Sequence, residues 1–569
     1  MQMSTKTNSV FKKDSLITSM VKENQMYWYI FIIFFISVIL LRKYHKYRAK
    51  KNTIWRLNTE FGNKPNRSFT IEDIKYLYHL YSDDVDIDDI TWNDLDMDKV
   101  FSRINNCNSF VGEQYLYKAL HIISSSEDRL GKLDELVEYF EVNPEARLDV
   151  QVLLEKLGRR KVSYFLPEFV NQLNDFKFKN ILFYRLMSLA LISSILFGII
   201  FDAMFFYIAG ILFLVNSVIY TLVKHKYEIH LEMLGTIIGV VDTANGLIDM
   251  DLSLEVYEFQ ECIDSSKRLR TATSGVGLIQ RKKASAFSGD IAAIIMDYII
   301  GSTLWDFHVF HKTISVLSKN REAFMKLYNL IGRIDSVISI ASYRSSLDLF
   351  CKPTFTVDKD IQFESIYHPL IHEPIHNDVL MDSNYIVTGS NASGKSTYIK
   401  SIGINMILAQ SIFTCLAKDA KLPHAKVLTS MAVRDDIESG DSYYMKEISY
   451  LKRIVSQVND DELTLCIVDE ILRGTNREER VAASVSILKY LNEENCITIV
   501  ASHDILISEM LNLEYENCHF TEHMKDDDIF FDYKVKEGVS NSTNAIKLLK
   551  HVGFPEDIVK HAEDIVSVM

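Results

Sequence analysis

"IVTGSNASGKSTYIKS", Ile386 to Ser401, decides how the C-terminal half of this chain is read. Gly389, Gly394, Lys395 and Ser396 complete the pattern GxxxxGK[ST]. The strand-like "NYIVT" stands before it and the helical "TYIKSIGINMILAQ" after it. Strand, glycine loop and helix in that order curl backbone N–H groups and a helix N-terminus around a polyphosphate. In the predicted loop, Gly389, Ser390, Asn391, Ala392, Ser393, Gly394 and Thr397 cradle the phosphates of ATP. Lys395 reaches the β- and γ-phosphates, and Ser396 ligates Mg²⁺.

A second stretch supplies what such a loop needs for hydrolysis. "LTLCIVDE" carries a buried apolar strand to Asp469 and Glu470, and Asp469 stands 74 residues after Lys395. Open α/β sheets place ligands at the C-terminal ends of their strands. Asp469 is therefore expected to hold the Mg²⁺ shell, and Glu470 to polarise the attacking water. His503, in "IVASHD" after another apolar strand, falls near the γ-phosphate by spacing alone. A lone histidine there is more often structural. From Pro353 onward, short β-rich runs alternate with helical ones and end in a hairpin through "CHFTEHMKDDDIFFDYKV". That alternation predicts an α/β domain over 352–569.

The N-terminal half is of another kind. "FVGEQYLYKALHII", "LDELVEYF" and "EAFMKLYNLIGRIDSVISIASYRSSLDLF" have apolar spacing near 3.6 and predict helices over 52–185 and 224–351. Two apolar tracts interrupt this half. Met26–Leu41 opens with Tyr27, Trp28 and Tyr29 and is followed by the basic "RKYHKYRAKK". A cleaved signal peptide would need small residues there, so an uncleaved span over about 24–41 is expected, within a tail and anchor of 1–51. Leu186–Val223 holds 38 residues and one charge, Asp202. It fits two crossings turning at Asp202, with Lys177, Lys179 and Arg185 before and Lys224 and Lys226 after. The lysine and arginine bias predicts an N-terminus outside and both large segments in the cytoplasm, in a multi-pass protein of a prokaryotic plasma membrane. A buried helical pair in a soluble core is the rival reading.

Composition narrows the function classes. The formal charge of −14 offers no global basic field for nucleic acid, though local patches survive on acidic proteins. Seven scattered cysteines without a CxxC pair suggest neither a disulfide framework nor a zinc site.

Together these pieces resemble the ATPase domain of the MutS family. "TGSNASGKSTY" is similar to its Walker A and "VDEILRGTNREE" to its Walker B and following loop, with Arg473, Gly474 and Thr475 in matching places. "DDIESGDSYYMKEI" resembles the stretch the family inserts into its partner's site, which implies that Ser439, Gly440 and Ser442 face the γ-phosphate across a dimer. His503 matches the family's switch histidine. "YHPL" with "EPIHND" looks like the base loop, with Ile375 on adenine and Pro374 where an aromatic residue often stands. "GVSNSTNAIKLLKHVGFPEDIVKHAEDI" resembles the C-terminal dimerisation helices, and "TWNDLDMDKVF", "GEQYLYKAL" and "IGRIDSVISIASYR" the helical lever core.

The fold class implied is α plus α/β. A helical lever-like core is interrupted by a transmembrane hairpin at 186–223 and followed by an ABC-type P-loop ATPase domain with dimerisation helices. The catalytic set is Glu470, Lys395, His503, Ser439 and Ser442; the Mg²⁺ set is Ser396 and Asp469.

The departures from the family bear on substrate. About fifty residues separate the first span from the lever-like region, too few for a mismatch-reading domain, and no C-terminal nuclease domain is expected. Phe259-Gln260-Glu261 spells the family's wedge motif but lies in an amphipathic helical stretch, where core and cap roles are expected. The reading is a membrane-anchored homodimeric ATPase touching lipid and binding DNA with low specificity. Lys267, Arg268, Arg270, Arg281, Lys282 and Lys283 could meet DNA phosphates or anionic lipid. The alternative is an ATPase for a non-DNA membrane task in transport, signalling or remodelling. A structural protein with a degenerate site is opposed by intact Lys395, Asp469 and Glu470.

Overall fold

Capping residues fix where the helices of the N-terminal half begin. The computed structural model describes residues 36–37, 40–80, 86–176, 180–250, 259–273, 299, 301–390, 393–431, 443–472, 475–525, 528–539 and 553–568. Residues 1–60 and 61–569 form separate units. In the first, residues 40–60 are helical and the basic run Arg42–Lys51 is exposed; the span expected at 24–41 lies almost wholly outside the described residues.

The second unit opens with two short helices, α1 (Ile71–Ile74) and α2 (Tyr76–His79). Then follow α3 (Asp89–Asp94), α4 (Met97–Ile104), α5 (Phe110–Ala119), α6 (Glu127–Val142), α7 (Pro144–Leu154) and α8 (Leu166–Asn171). Asp88, Ser109 and Ser126 side chains accept the first free N–H groups of α3, α5 and α6, and Pro144 starts α7 where no donor is needed.

Two apolar helices come next, α9 (Ile181–Ile200) and α10 (Met204–Asp249), joined at Asp202, whose Oδ1 accepts from the Met204 N–H at 2.7 Å. Stretches within Leu173–Ile200 and Met204–His225 are long and apolar enough to cross a membrane, and only 17% of each apolar window is buried in the protein. The division expected at 223/224 falls inside α10. This helix has 46 residues, about 70 Å at 1.5 Å per residue, and does not break where its composition changes. Past Lys224 its Met233, Leu234, Ile237, Val241 and Ala244 enter the main core.

The helical body closes with α11 (Phe259–Thr273), α12 (Trp305–Lys319) and α13 (Arg321–Ser345). Phe259 to Glu261 start α11. Glu261 is exposed, stands in the first turn of α11 and pairs with Lys326 of α13, while the apolar stripe of α11 falls on Cys262 and Leu269. α13 is buried over nearly its whole length, as a helix at the centre of a body must be. Its buried Asp335 accepts from the N–H groups of Asn108 and Ser109, both at 2.8 Å, and so caps α5 from outside.

From residue 354 strands appear, β1 (Thr354–Thr356), β2 (Ile361–Ile366), β3 (Asn377–Met381) and β4 (Asn384–Thr388), then α14 (Lys395–Ile412), β5 (Asp419–Pro423) and β6 (Lys426–Ser430). After them come α15 (Tyr443–Gln457), β7 (Thr464–Asp469), α16 (Arg477–Glu493), β8 (Cys496–Ser502), α17 (Ile505–Met510), β9 (Tyr515–Lys525), β10 (Asp528–Glu537) and α18 (Glu556–Val568). Six strands form one sheet in the order β10-β9-β4-β8-β7-β6, parallel except for the β9–β10 hairpin. The predicted alternation and hairpin are both present. A second sheet, β1-β5-β2-β3, was not expected, because its strands are short and mixed in direction.

A polar seam joins body and sheet domain. Asp94 of α3 accepts from Thr429 Oγ1 (2.7 Å) and the Met431 N–H (3.0 Å), Asp88 pairs with Arg453 of α15, and Asp96 pairs with Lys400 of α14 at 2.8 Å. Burial opposes ionisation of Asp96, but Lys400 and Lys99 together hold its pKa down, at about 2. At the far end of α14, the buried Arg344 guanidinium donates to Thr414 Oγ1 (2.9 Å), the Phe413 carbonyl (2.8 Å) and Asp134 (2.6 Å).

Candidate nucleotide site

β4 is buried on both faces in mid-sheet, so the loop after it is held at the sheet's C-terminal edge. Gly389 and Gly394 have φ of +146° and +108°, which side-chain-bearing residues rarely adopt. A Cβ on Gly389 would meet Ser393 Oγ at 2.9 Å, and one on Gly394 would meet the Tyr533 ring at 3.1 Å. The loop is thus closed to larger residues from both sides. Lys395 is buried, and its Nζ donates to the carbonyls of Gly389 (2.7 Å) and Ser390 (2.8 Å). The hydroxyls of Ser390 and Ser393 are buried with no hydrogen-bond partner among the described residues. Uncommitted donors beside a buried ammonium suit a polyphosphate.

β7 delivers Asp469 and Glu470 opposite this loop. Glu470 takes φ of +58°, a left-handed conformation seldom adopted by a non-glycine residue. Its N–H donates to the Ala501 carbonyl of β8 at 2.9 Å, and its carboxylate lies 3.2 Å from His503 Nδ1. Strain of this sort survives only where neighbours over-determine it, and it marks functional positions. Beyond it, buried Asp504 accepts from Arg480 (2.9 Å) and Arg477 (3.3 Å). Burial works against its charge, yet the two guanidinium groups hold the Asp504 carboxyl below its ordinary pKa. That pairing anchors the start of α16 to the end of β8.

These elements enclose a cavity of about 910 Å³, lined among others by Ser390, Gly394, Lys395, Ser396, Thr397, Asp469 and Glu470. Ile375 lines it too, 45% exposed, next to Pro374 and to Glu373, whose φ is +75°. His368 on the same wall is pushed to a pKa of about 4 by burial, with Lys400 adding to the effect. The expected residues Gly389, Ser393 and His503 stand in the same region through the contacts given above. Asn391, Ala392, Ser439, Gly440, Ser442, Arg473, Gly474 and Arg281 to Lys283 lie outside the described residues.

Sequence reasoning missed one wall. Phe530, Phe531 and Tyr533 of the β9–β10 hairpin line the cavity with Phe520. The β9–β10 register shifts between Phe531 and Val535, and Tyr533 takes φ of +51° within that bulge. Asn377, two residues past Ile375, spans it: Nδ2 donates to the Tyr533 carbonyl and Oδ1 accepts from the Val535 N–H, both at 3.0 Å. Bulges re-aim side chains next to sites, and this one carries an aromatic ring to the wall where Pro374 offers none. A hairpin bulge leaves no motif in sequence, so no signal could have found it.

With this geometry in place, comparison with known proteins is informative. The family model described as MutS domain V matches residues 385–569. The DNA mismatch repair protein MutS of Fervidobacterium nodosum is 30% identical over 272 residues, covering 46% of this chain and 33% of that protein. That of Petrotoga mobilis is 30% identical over 273 residues, with the same coverage. The human MutS protein homolog 4 is 30% identical over 274 residues, covering 45% of this chain and 29% of that protein. The chain thus spans about a third of the length of the curated relatives it matches.

Proposed function

From the premise that this chain belongs to the MutS family, we propose that it is a dimeric, membrane-anchored ATP hydrolase whose turnover is coupled to weakly specific DNA binding. The observation that carries the enzymatic part is the single cavity in which Lys395, Ser396, Asp469 and Glu470 meet.

Lys395 and the loop N–H groups bind the β- and γ-phosphates. Ser396 and Asp469 would hold Mg²⁺, which when bound neutralises charge developing on the phosphates. Glu470 orients water and accepts its proton, with its carboxylate held toward the cavity by His503. Tyr533, Phe530 and Ile375 supply the apolar wall for a base. Ser439 and Ser442 complete the partner's site, and the exposed Phe554, Ile558 and Ile565 in and beside α18 give the two copies an apolar surface to share.

The membrane part is supported by the surface of α9 and α10. Leu189, Ile199, Phe201, Tyr207, Leu214 and Leu222 are between 61% and 78% exposed. Large apolar side chains this exposed on two adjacent helices are what a lipid-facing surface would carry. The 20 residues of α9 span about 30 Å, which matches a hydrocarbon core. DNA enters through what the relatives' names say they do, and Lys267, Arg268 and Arg270 on α11 provide cations for it. Such contacts read phosphate and not sequence. A second reading, a motor for a membrane task, is favoured by the continuity of α10, which runs unbroken from the apolar pair into the core.

The test is ATP turnover by the full chain in lipid nanodiscs, with and without duplex DNA, across a salt series. Hydrolysis lost in Lys395→Ala, with DNA binding that weakens steeply with salt and ignores mismatches, is expected. Hydrolysis that responds to lipid composition but never to DNA would replace the first reading by the second.

A further inference from the structure

Cys351 and Cys415 stand directly opposite one another in an isolated antiparallel bridge. Each N–H donates to the other residue's carbonyl at 2.9 Å. Such a reciprocal pair sets its Cα atoms about 5.5 Å apart, within the usual separation of disulfide-bonded residues. Burial, with Cys351 beside it, pushes the Cys415 thiol well above its ordinary pKa. Of the seven cysteines Cys351 alone is not buried. Cys466 and Cys496, also neighbours on β7 and β8, are both sealed in the sheet.

The bridge sits at a joint. Cys351 lies on the strap between the end of α13 and the start of β1. Cys415 lies just past α14, whose first residues are Lys395 and Ser396. Arg344 of α13 grips the same turn through Thr414 and the Phe413 carbonyl. The strap, the helical body and the helix leading from the phosphate loop therefore meet within a few residues.

We propose that Cys351 and Cys415 form a dithiol modification site, oxidised reversibly by a peroxide, whose disulfide clamps the joint between helical body and ATPase domain. The Cys351 thiolate attacks the peroxide O–O bond and becomes a sulfenic acid, with hydroxide leaving. Cys415 sulfur then attacks that sulfur, and hydroxide leaves to take up the thiol proton as water. Two thiols and one hydrogen peroxide give one disulfide and two waters. The reverse step needs only a dithiol reductant.

The experiment treats the full chain in nanodiscs with hydrogen peroxide and maps its peptides under non-reducing conditions by mass spectrometry. A peptide joining Cys351 to Cys415, absent after dithiothreitol and absent in Cys351→Ser, is expected. ATP turnover should fall about threefold or more in oxidised wild type, as for a restrained conformational step, and return on reduction. Cys351→Ser should keep its turnover in peroxide; Cys415→Ser, if it folds, should stop at an overoxidised Cys351. Oxidation of Cys351 without the cross-link would overturn the site, and a cross-link that leaves turnover unchanged would overturn the clamp. The peptide readout does not depend on ATP hydrolysis, so its failure is distinct from failure of the ATPase reading.

Discussion

His503 Nδ1 lies 3.2 Å from Glu470 Oε1, and the strand that ends just before His503 also accepts the Glu470 N–H through Ala501. β8 thus fixes both the backbone and the carboxylate of Glu470. Glu470→Gln should keep the size of the side chain and remove the base, so ATP binding persists while turnover drops by about 10²–10⁴. His503→Ala should lower kcat less and leave nucleotide affinity near wild type, since it only orients Glu470. Nucleotide titration and steady-state turnover separate these effects. Wild-type turnover in Glu470→Gln would remove that residue from its role.

The left-handed backbone of Glu470, φ +58°, makes a second, independent prediction. Glycine tolerates that conformation and alanine does not. Both substitutions delete the carboxylate, so both should be inactive. Glu470→Gly should nonetheless be more stable than Glu470→Ala by about 1 kcal/mol. Equal denaturation midpoints for the two would show that the residue relaxes out of the strained region when its carboxylate is gone.

Sequence revealed what is local and hid what depends on contacts between distant residues. The strand ending at Thr388, the helix starting at Lys395, the strand ending at Asp469 and the strand before His503 are each encoded in a run of neighbours, and each is found where expected. The wall formed by Phe530 and Tyr533 was not legible, because it requires a bulge that Asn377 pins from about 150 residues away. Nor was the length of α10, since the charges after Val223 mark a change of surroundings without interrupting helical hydrogen bonding. The Asp96–Lys400 link is a third case, joining two residues whose own segments announce nothing about each other.

Asn377 and Tyr533 form a small unit that can be tested as one. Tyr533→Ala removes ring area from the cavity wall, and Asn377→Ala frees the bulge that presents the ring. Both should raise KM for ATP, by about tenfold for the loss of roughly 1–1.5 kcal/mol of aromatic contact, with kcat little changed. The double variant should cost hardly more than Tyr533→Ala, because Asn377 acts through that ring. Fully additive losses would mean that Asn377 serves the site by another route.

Acid should unfold this protein partly through one histidine in the helical body. His121 is fully buried, its ring stacks on Trp92 with centroids 3.5 Å apart, and its Nδ1 lies 2.8 Å from the Tyr117 carbonyl. Its Nε2 is buried without a partner among the described residues, so the ring is held neutral with the proton on Nδ1. Burial lowers its pKa to about 4 against 6.5 for an ordinary histidine, although the Asp89 and Asp98 carboxylates oppose the shift. Unfolded chains take up the proton near pH 6.5 and the folded protein only near pH 4. The contribution is therefore intact above about pH 6.5 and lost as pH falls toward 4, about 3 kcal/mol in all. His121→Phe keeps the stacked ring and has no proton to gain. The stability of wild type relative to His121→Phe should decline steadily from pH 6.5 to 4 in urea titrations, other titrating groups cancelling in the difference. Parallel stability curves for the two proteins over that range would show that His121 accepts its proton in the folded state at no cost.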